Sequence, residues 1–348
     1  MHFFFPHLLF AAAITGISAI LTLFLVRHLK AMDVPNERSS HTKVTPRGGG
    51  IAIVVAFLAG LLLIQFVGDT TPIYSVYFLG FLLSAMVVAA LSLYDDFNTA
   101  SLNGRLAGQI AAVLSALTAG LVIDVVRVPV LGELHMGLLA YPLTFFWMLG
   151  LANAYNFMDG LDGLAASTAV IAGAFFAYIS YSQGSTFIYL ASLTIAAASL
   201  GFLIFNWQPA RIFMGDVGSV FLGFTFAAMA IIAAQYDHSH TSFLVLPLLL
   251  LHFIFDTTFT FVRRLLAGEN VLQGHRTHIY QLLNRMGWSH RRVATAYAVA
   301  GVLQGVAAIW MVENLGEERL LVFLLFVGAY SVVARQVVRR AIDRKILV

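Results

Sequence analysis

The sequence predicts an all-α, polytopic integral membrane protein with about eleven transmembrane helices, its N-terminus outside and its C-terminus cytoplasmic. Three observations carry this. The 348-residue chain is 60% hydrophobic and only 11% charged, with a mean hydropathy of +0.86, whereas soluble domains run at roughly 25% charged and 45–50% apolar. Apolar runs of spanning length recur along its whole length. When those runs are threaded alternately through a bilayer, the basic residues fall almost entirely on one side.

The runs lie near residues 5–26, 48–67, 73–93, 105–123, 137–153, 164–182, 186–205, 218–235, 242–262, 294–312 and 319–336. The first follows Met1-His-Phe-Phe-Phe-Pro-His7, which lacks the positive head of a signal peptide, and is read as a retained helix. With the N-terminus outside, the inside segments hold Arg27, Lys30, Arg38, Lys43 and Arg47, then Arg105, then Arg211. The next inside loop holds Arg263, Arg264, Arg276, Arg285, Arg291 and Arg292, and the tail adds Arg335, Arg339, Arg340, Arg344 and Lys345. These are 18 of the 20 basic residues, leaving only Arg127 and Arg319 outside, the asymmetry that fixes orientation in membrane proteins.

The net charge of +3 therefore records topology. No basic stripe with interleaved aromatics points to nucleic acid. The absence of cysteine excludes a disulfide framework, a thiolate metal site and a Cys nucleophile. With no internal repeat, low-complexity tract or soluble segment, residues 1–348 are expected to form a single membrane domain.

Four polar stretches interrupt the apolar chain: Asp95-Asp96, Asn153 to Gly163, Phe213 to Ser219, and His275 to His278. The same threading puts all four, and the loop Asp33 to Gly50, on the inside face. A carboxylate within a bilayer costs about 2.5–3.5 kcal/mol near the centre, so such a gathering needs a cation, a partner or a chemical use. Asp95 and Asp96 are adjacent and repel, a conflict that a divalent metal or a metal-bound phosphate would remove; the bland reading is two solvated Asp beyond a helix end.

In Asn153-x-x-Asn156-x-x-Asp159-Gly-x-Asp162-Gly163 the polar groups recur every third residue, which on a helix keeps them on one face. Asn and Asp oxygens are hard donors suited to Mg²⁺. Capping of the next helix by Asp162 would explain only part of the set. The run Asp159-Gly-Leu-Asp162-Gly163 also resembles the opening of the CDP-alcohol phosphotransferase signature, but the Ala-Arg and the later Asp pair of that signature are absent. Gly215-Asp216-Val-Gly-Ser219 places a carboxylate in a turn against a helix N-terminus, where amide N–H groups accept phosphate. His275-Arg276-Thr277-His278 suits pyrophosphate better than zinc, since no third soft ligand is near and Arg pairs bidentately with phosphate; an ordinary basic juxtamembrane loop is its bland counterpart.

Taken in order, Asp33-x-Pro35…Arg38…His41, Pro46-x-x-Gly49-Gly50, Asp95-Asp96, Asn153–Gly163, Phe213–Ser219 and His275–His278 make nearly the whole chain resemble the polyprenyl-phosphate N-acetylhexosamine-1-phosphate transferases. The forms Asp-Val-Pro-Asn-x-Arg-Ser-Ser-His and His-Arg-x-His-x-Tyr-Gln resemble the O-antigen-initiating type most. The peptidoglycan branch carries a three-His run where this chain reads His278-Ile-Tyr280-Gln281, a departure that argues against a muramoyl-pentapeptide substrate.

The resemblance implies transfer of an N-acetylated sugar 1-phosphate from a UDP-sugar to undecaprenyl phosphate, with release of UMP. It implies Mg²⁺ as cofactor, with Mn²⁺ as a substitute, and a site facing the cytoplasm at the bacterial inner membrane. Asp216 and Asn156 match metal-holding residues. Asp95 matches a base or lipid-phosphate positioner with Asp96 beside it, and these two, Asp159 and His278 form the expected catalytic set. Asp162 matches a uracil contact and Arg276 a diphosphate contact, while Arg105 falls where a basic residue meets the lipid phosphate. His275, Asn153 and Lys43 complete the expected substrate-binding set. Membrane lipid is a further partner, and a homodimer is compatible with the sequence. The rival reading is a transporter or flippase for a lipid-linked or anionic substrate, whose carboxylates should lie near mid-bilayer on broken helices.

Overall fold

Apolar runs satisfy their backbone groups internally as helices, the form that hydrocarbon imposes. In the computed structural model, which describes residues 4–35, 40, 43–67, 75–98, 102–128, 132–237, 239–271, 273–314 and 316–347, a helix occurs at each expected position. In chain order these are α1 (Phe4–His28), α2 (Gly50–Val67), α3 (Ser75–Asn98), α4 (Leu102–Thr118), α5 (Ala140–Phe157), α6 (Leu164–Ser182), α7 (Thr186–Asn206) and α8 (Asp216–Ile231). After them come α9 (Val245–Leu249), α10 (Leu251–Leu266), the short α11 (Ile279–Arg285), α12 (His290–Asn314) and α13 (Leu320–Asp343).

Among the described residues, eight helical stretches are long and apolar enough to cross a membrane: α1, α3, α5, α6, α7, α12, α13, and α8 with the π-helical turn that carries it on to Tyr236. The difference from eleven lies in α2, which is apolar but shorter, in α4 and in the α9–α10 pair. α4 opens with Asn103, Arg105 and Gln109, polar residues that belong to the site end. The expected span 242–262 is broken at Leu250, where φ is −106° and ψ is 11°. The α10 that follows carries His252, Asp256, Arg263 and Arg264, too many ionisable groups for hydrocarbon.

α8 is the axis of the bundle. Every residue from Asp216 to Ile231 is buried, as expected for a helix apolar all round, and α2, α3 and α5 pack against it. α1 and α13 lie at the periphery and turn apolar side chains outward, where lipid would cover them. Gly223 lets α5 and α8 cross closely: a Cβ there would lie 2.6 Å from the Leu151 carbonyl oxygen, so the two backbones nearly touch.

Two small β pairs, unexpected in an all-α reading, complete the fold. β1 (Met32–Asp33) pairs antiparallel with β2 (Thr45–Pro46) beside the site, and β3 (Val125–Val128) with β4 (Gly132–His135) at the far end, where α8 finishes. The second hairpin falls between the expected runs 105–123 and 137–153.

Candidate active site

The ends of α3 and α5, the start of α8 and the segment before α11 meet at one end of the bundle. Asp216 is the first residue of α8, and Gly215 before it has φ +76°, a conformation open to glycine. A Cβ at Gly215 would sit 2.6 Å from Asp96 Oδ2. Its absence lets the Asp96 carboxylate accept the backbone N–H of Asp216 at 3.0 Å and of Val217 at 2.9 Å. Asp96 therefore caps α8 from a distant helix and neutralises the positive end of its dipole. The expectation that these amides take phosphate is corrected: the first two are already occupied by Asp96. Asp216 itself belongs to the helix and not to a flexible turn.

Arg47 lies between the two acids, with Nη2 2.9 Å from Asp96 Oδ1 and 2.8 Å from Asp216 Oδ1. Backbone bonds fix its place. Phe213 N–H donates to Pro46 O at 2.8 Å, Gly49 N–H to Phe213 O at 2.9 Å, and Gly50 N–H to Met214 O at 2.8 Å. Gly50 and Gly218 then meet backbone to backbone, leaving no room for a side chain at either.

Arg105, in the first turn of α4, binds Asp95 Oδ2 through Nε at 2.7 Å and Asp216 Oδ2 through Nη1 at 3.2 Å. The repulsion expected between Asp95 and Asp96 is thus relieved by two arginines. Successive helical side chains diverge by about 100°, and each acid meets its own guanidinium.

The helical-face reading of the Asn153–Asp162 run holds for its first half only. α5 ends at Phe157, so Asn153 and Asn156 are helical while Asp159 and Asp162 occupy the turn to α6. Asn153 Nδ2 donates to Gln109 Oε1 at 2.7 Å, joining α5 to α4. Asn156 Oδ1 accepts the Ser219 hydroxyl at 2.9 Å, which brings it to the first turn of α8 beside Asp216.

Asp162 does not cap α6. The cap position is Gly163, at φ +75°, and Asp162 instead accepts the Ala210 N–H at 3.1 Å and pairs with His290 Nδ1 at 3.0 Å. His290 Nε2 in turn lies 3.1 Å from the Ser40 carbonyl oxygen. Burial, with Asp216, Asp96 and Asp162 nearby and Arg47 opposing, pushes the Asp159 carboxyl well above the usual carboxylate range.

A cavity of about 300 Å³ opens among these groups, walled by Arg47, Asn156, Asp159, Asp162, Asp216 and His290, with Asp33, Ser40 and Gln281 also contributing. Asp95, Asp96 and Arg105 are not part of its wall and meet it through Asp216. Asn153, His275, Arg276, His278 and the exposed Lys43 are not part of the wall either. Arg276 approaches it through Ser40 Oγ at 3.5 Å. The His275 ring accepts the Thr277 N–H at 3.3 Å through Nδ1, and burial with His278, Arg264 and Arg263 nearby lowers its pKa to about 4. His278 precedes α11 and is only 5% exposed, with Nδ1 3.3 Å from Asp256 Oδ1. Arg38 and His41 lie outside the described residues.

Three residues of this end were given no role from the sequence. Arg47 is read from the sequence only as a loop base, and His290 is not singled out there. Asp256 was hidden within an expected span, where an ionisable residue is itself a signal.

The donor set fits a hard cation. Asp216, Asn156 and Asp159 present oxygens to one cavity, and among the described residues no side chain or amide donates to the Asp159 carboxylate. Among the described residues no three His or acidic side chains are grouped closely enough to hold a metal by themselves.

Helices of spanning length with an acid- and Arg-lined cavity at one end define a multi-pass membrane protein with a polar site at one end of its bundle. Residues 78–234, from α3 to the end of α8, match the glycosyl transferase family 4. The chain is 34% identical over 281 residues to a probable undecaprenyl-phosphate N-acetylglucosaminyl 1-phosphate transferase of Bacillus subtilis, covering 80% of this chain and 76% of that protein. It is 32% identical over 311 residues to a decaprenyl-phosphate N-acetylglucosaminephosphotransferase of Mycobacterium leprae, covering 81% and 77%. A phospho-N-acetylmuramoyl-pentapeptide-transferase of Halalkalibacterium halodurans is 29% identical over 323 residues, covering 87% and 96%. The chain belongs to this family, the polyprenyl-phosphate hexosamine-1-phosphate transferases, and is a sugar-phosphate transferase.

Proposed function

We propose that this protein transfers an N-acetylhexosamine 1-phosphate from a UDP-sugar to undecaprenyl phosphate, giving undecaprenyl-pyrophosphoryl-sugar and UMP. The reaction would open the membrane stage of a cell-surface polysaccharide, O-antigen or a related one. The observation that carries the reading is the convergence of Asp216 with Asn156, Asp159 and Asp162, from two separate polar stretches, on one cavity. Alternate threading of the eleven apolar runs puts 18 of the 20 bases on the side that holds these residues, which supports a cytoplasmic site.

Phosphoryl transfer depends on positioning and charge neutralisation more than on covalent chemistry. Asp216, Asn156 and Asp159 would hold Mg²⁺, which when bound stabilises the leaving UMP as a Lewis acid. Arg47 and Arg105 keep Asp216 neutralised in the metal-free protein and, once released, are placed to pair with phosphate oxygens. Asp162, braced by His290 and the Ala210 amide, stands at the end of the cavity wall where a uracil edge could be read. The lipid phosphate has a second pKa of about 6, so Asp95 is needed to align it and to accept at most a residual proton.

A transporter reading would need its acids near mid-bilayer; here the acidic set gathers at helix ends. The test is incorporation of labelled sugar into extractable lipid by purified protein, with undecaprenyl phosphate and a panel of UDP-N-acetyl-sugars. Transfer that requires added Mg²⁺ supports the proposal. Failure of every UDP-sugar in the panel refutes it.

A further inference from the structure

We propose that Asp256 is the positioning residue that fixes His278 and the start of α11 against the cavity. The inference rests on the transferase reading above and names the group on which its 275–281 segment is built.

Asp256 is 1% exposed, and a buried carboxylate persists only when its oxygens are fully engaged. Its Oδ1 accepts the Ile279 N–H at 2.9 Å and faces His278 Nδ1 at 3.3 Å. Its Oδ2 accepts the Tyr280 N–H at 3.1 Å and the Tyr297 hydroxyl at 2.7 Å. One carboxylate from α10 thus ties α12, through Tyr297, to the first turn of α11. With Nδ1–H of His278 donated to Asp256, the remaining ring nitrogen, Nε2, is the atom left to act. The ring plane is set further by stacking on Phe157, at 6.1 Å and 29°.

The same turn of α11 reaches the cavity. The Tyr280 hydroxyl donates to the Phe157 carbonyl oxygen at 2.9 Å, two residues before Asp159. Gly160 leaves no space for a Cβ against that hydroxyl. Gln281, in the cavity wall, accepts the His278 N–H at 3.2 Å and donates to the Tyr280 hydroxyl at 3.1 Å. A displacement at Asp256 therefore moves His278 and the Phe157–Asp159 turn together, although Asp256 touches no cavity atom.

A double-mutant cycle on transferase activity tests this, with kcat and KM measured on protein that elutes as a folded species in detergent. Asp256→Asn keeps the shape but turns N–H groups toward donors, and should lower kcat by about 10- to 100-fold with KM for the UDP-sugar within about threefold. In a His278→Ala background the same change should cost less than about threefold more, because the residue it positions is gone. Tyr297→Phe removes one donor to the same carboxylate and should lower kcat by about three- to tenfold, again only when His278 is present. If Asp256→Asn is recovered only as unfolded protein, the Tyr297→Phe cycle decides the matter. Losses that multiply fully with His278→Ala, or a kcat unchanged in both variants, overturn the proposal. Absence of transfer by the unaltered protein would instead count against the transferase reading.

Discussion

Arg47 Nη2 lies 2.8 Å from Asp216 Oδ1, so the acid expected to meet a metal is held by a guanidinium contributed from before α2. Arg47 and Arg105 offset part of the negative charge that Asp95, Asp96 and Asp216 gather there. Replacing Arg47 with Gln leaves Asp96 and Asp216 facing each other with only Arg105 near. The metal-free variant should lose about 1–3 kcal/mol of stability, and Mg²⁺ should raise its unfolding temperature more than that of the unaltered protein. Thermal unfolding in detergent, with EDTA and then with Mg²⁺, measures both. An equal response to Mg²⁺ in the two proteins would mean that the cation and Arg47 do not share a binding place.

Asp96 and Asp95 should separate by their phenotypes. Asp96 caps α8 through two amides, so Asp96→Asn, which can accept only one of them, should cost about 1–2 kcal/mol of stability. Asp95 pairs with Arg105. Asp95→Asn should keep the unfolding temperature within a few degrees yet lose transfer by about a hundredfold or more. A stable but active Asp95→Asn enzyme would remove Asp95 from the reaction.

Asp159 makes a pH prediction with a definite sign. Its carboxyl is raised by burial first and by Asp216, Asp96 and Asp162 next. The folded protein therefore holds a proton there that the unfolded chain has released, and stability falls as pH rises through the folded pKa. The contribution is fully present below the ordinary Asp value of 3.8. Asp159→Asn should flatten that slope in the metal-free protein. Metal binding should release a proton, read by calorimetry in buffers of different ionisation enthalpy, and Asp159→Asn should abolish the release.

His275 works in the opposite sense. Its pKa, lowered to about 4 by burial and by His278, Arg264 and Arg263, keeps the ring neutral in the folded protein while the unfolded chain takes up a proton below pH 6.5. Stability is lost as pH falls from 6.5 toward 4. His275→Gln should remove that loss.

The helical membrane architecture was legible because it is written in bulk properties. Long apolar runs and the segregation of Lys and Arg require no knowledge of contacts. The clustering of the acids at one end followed from the same threading. Partner identity was not legible. Asp96 meets the amides of Asp216 and Val217 from a helix 120 residues earlier, and nothing local to Asp95-Asp96 announces Arg47 or Arg105 as the relieving charges. Asp162 looked like a helix cap because caps are local, but its partners are Ala210 and His290. Asp256 sat inside an apolar run, where its single charge is averaged away although its burial with five hydrogen-bond partners makes it a structural centre.

The most direct measurement follows the phosphorus. UDP-N-acetylglucosamine labelled at the β-phosphate is incubated with the purified protein, undecaprenyl phosphate and Mg²⁺, and the label is traced in lipid and in water. The account predicts labelled lipid and unlabelled UMP for the unaltered protein, and neither for Asp216→Asn. Labelled lipid formed equally by Asp216→Asn, or label retained in water-soluble UDP while sugar alone reaches the lipid, would contradict it.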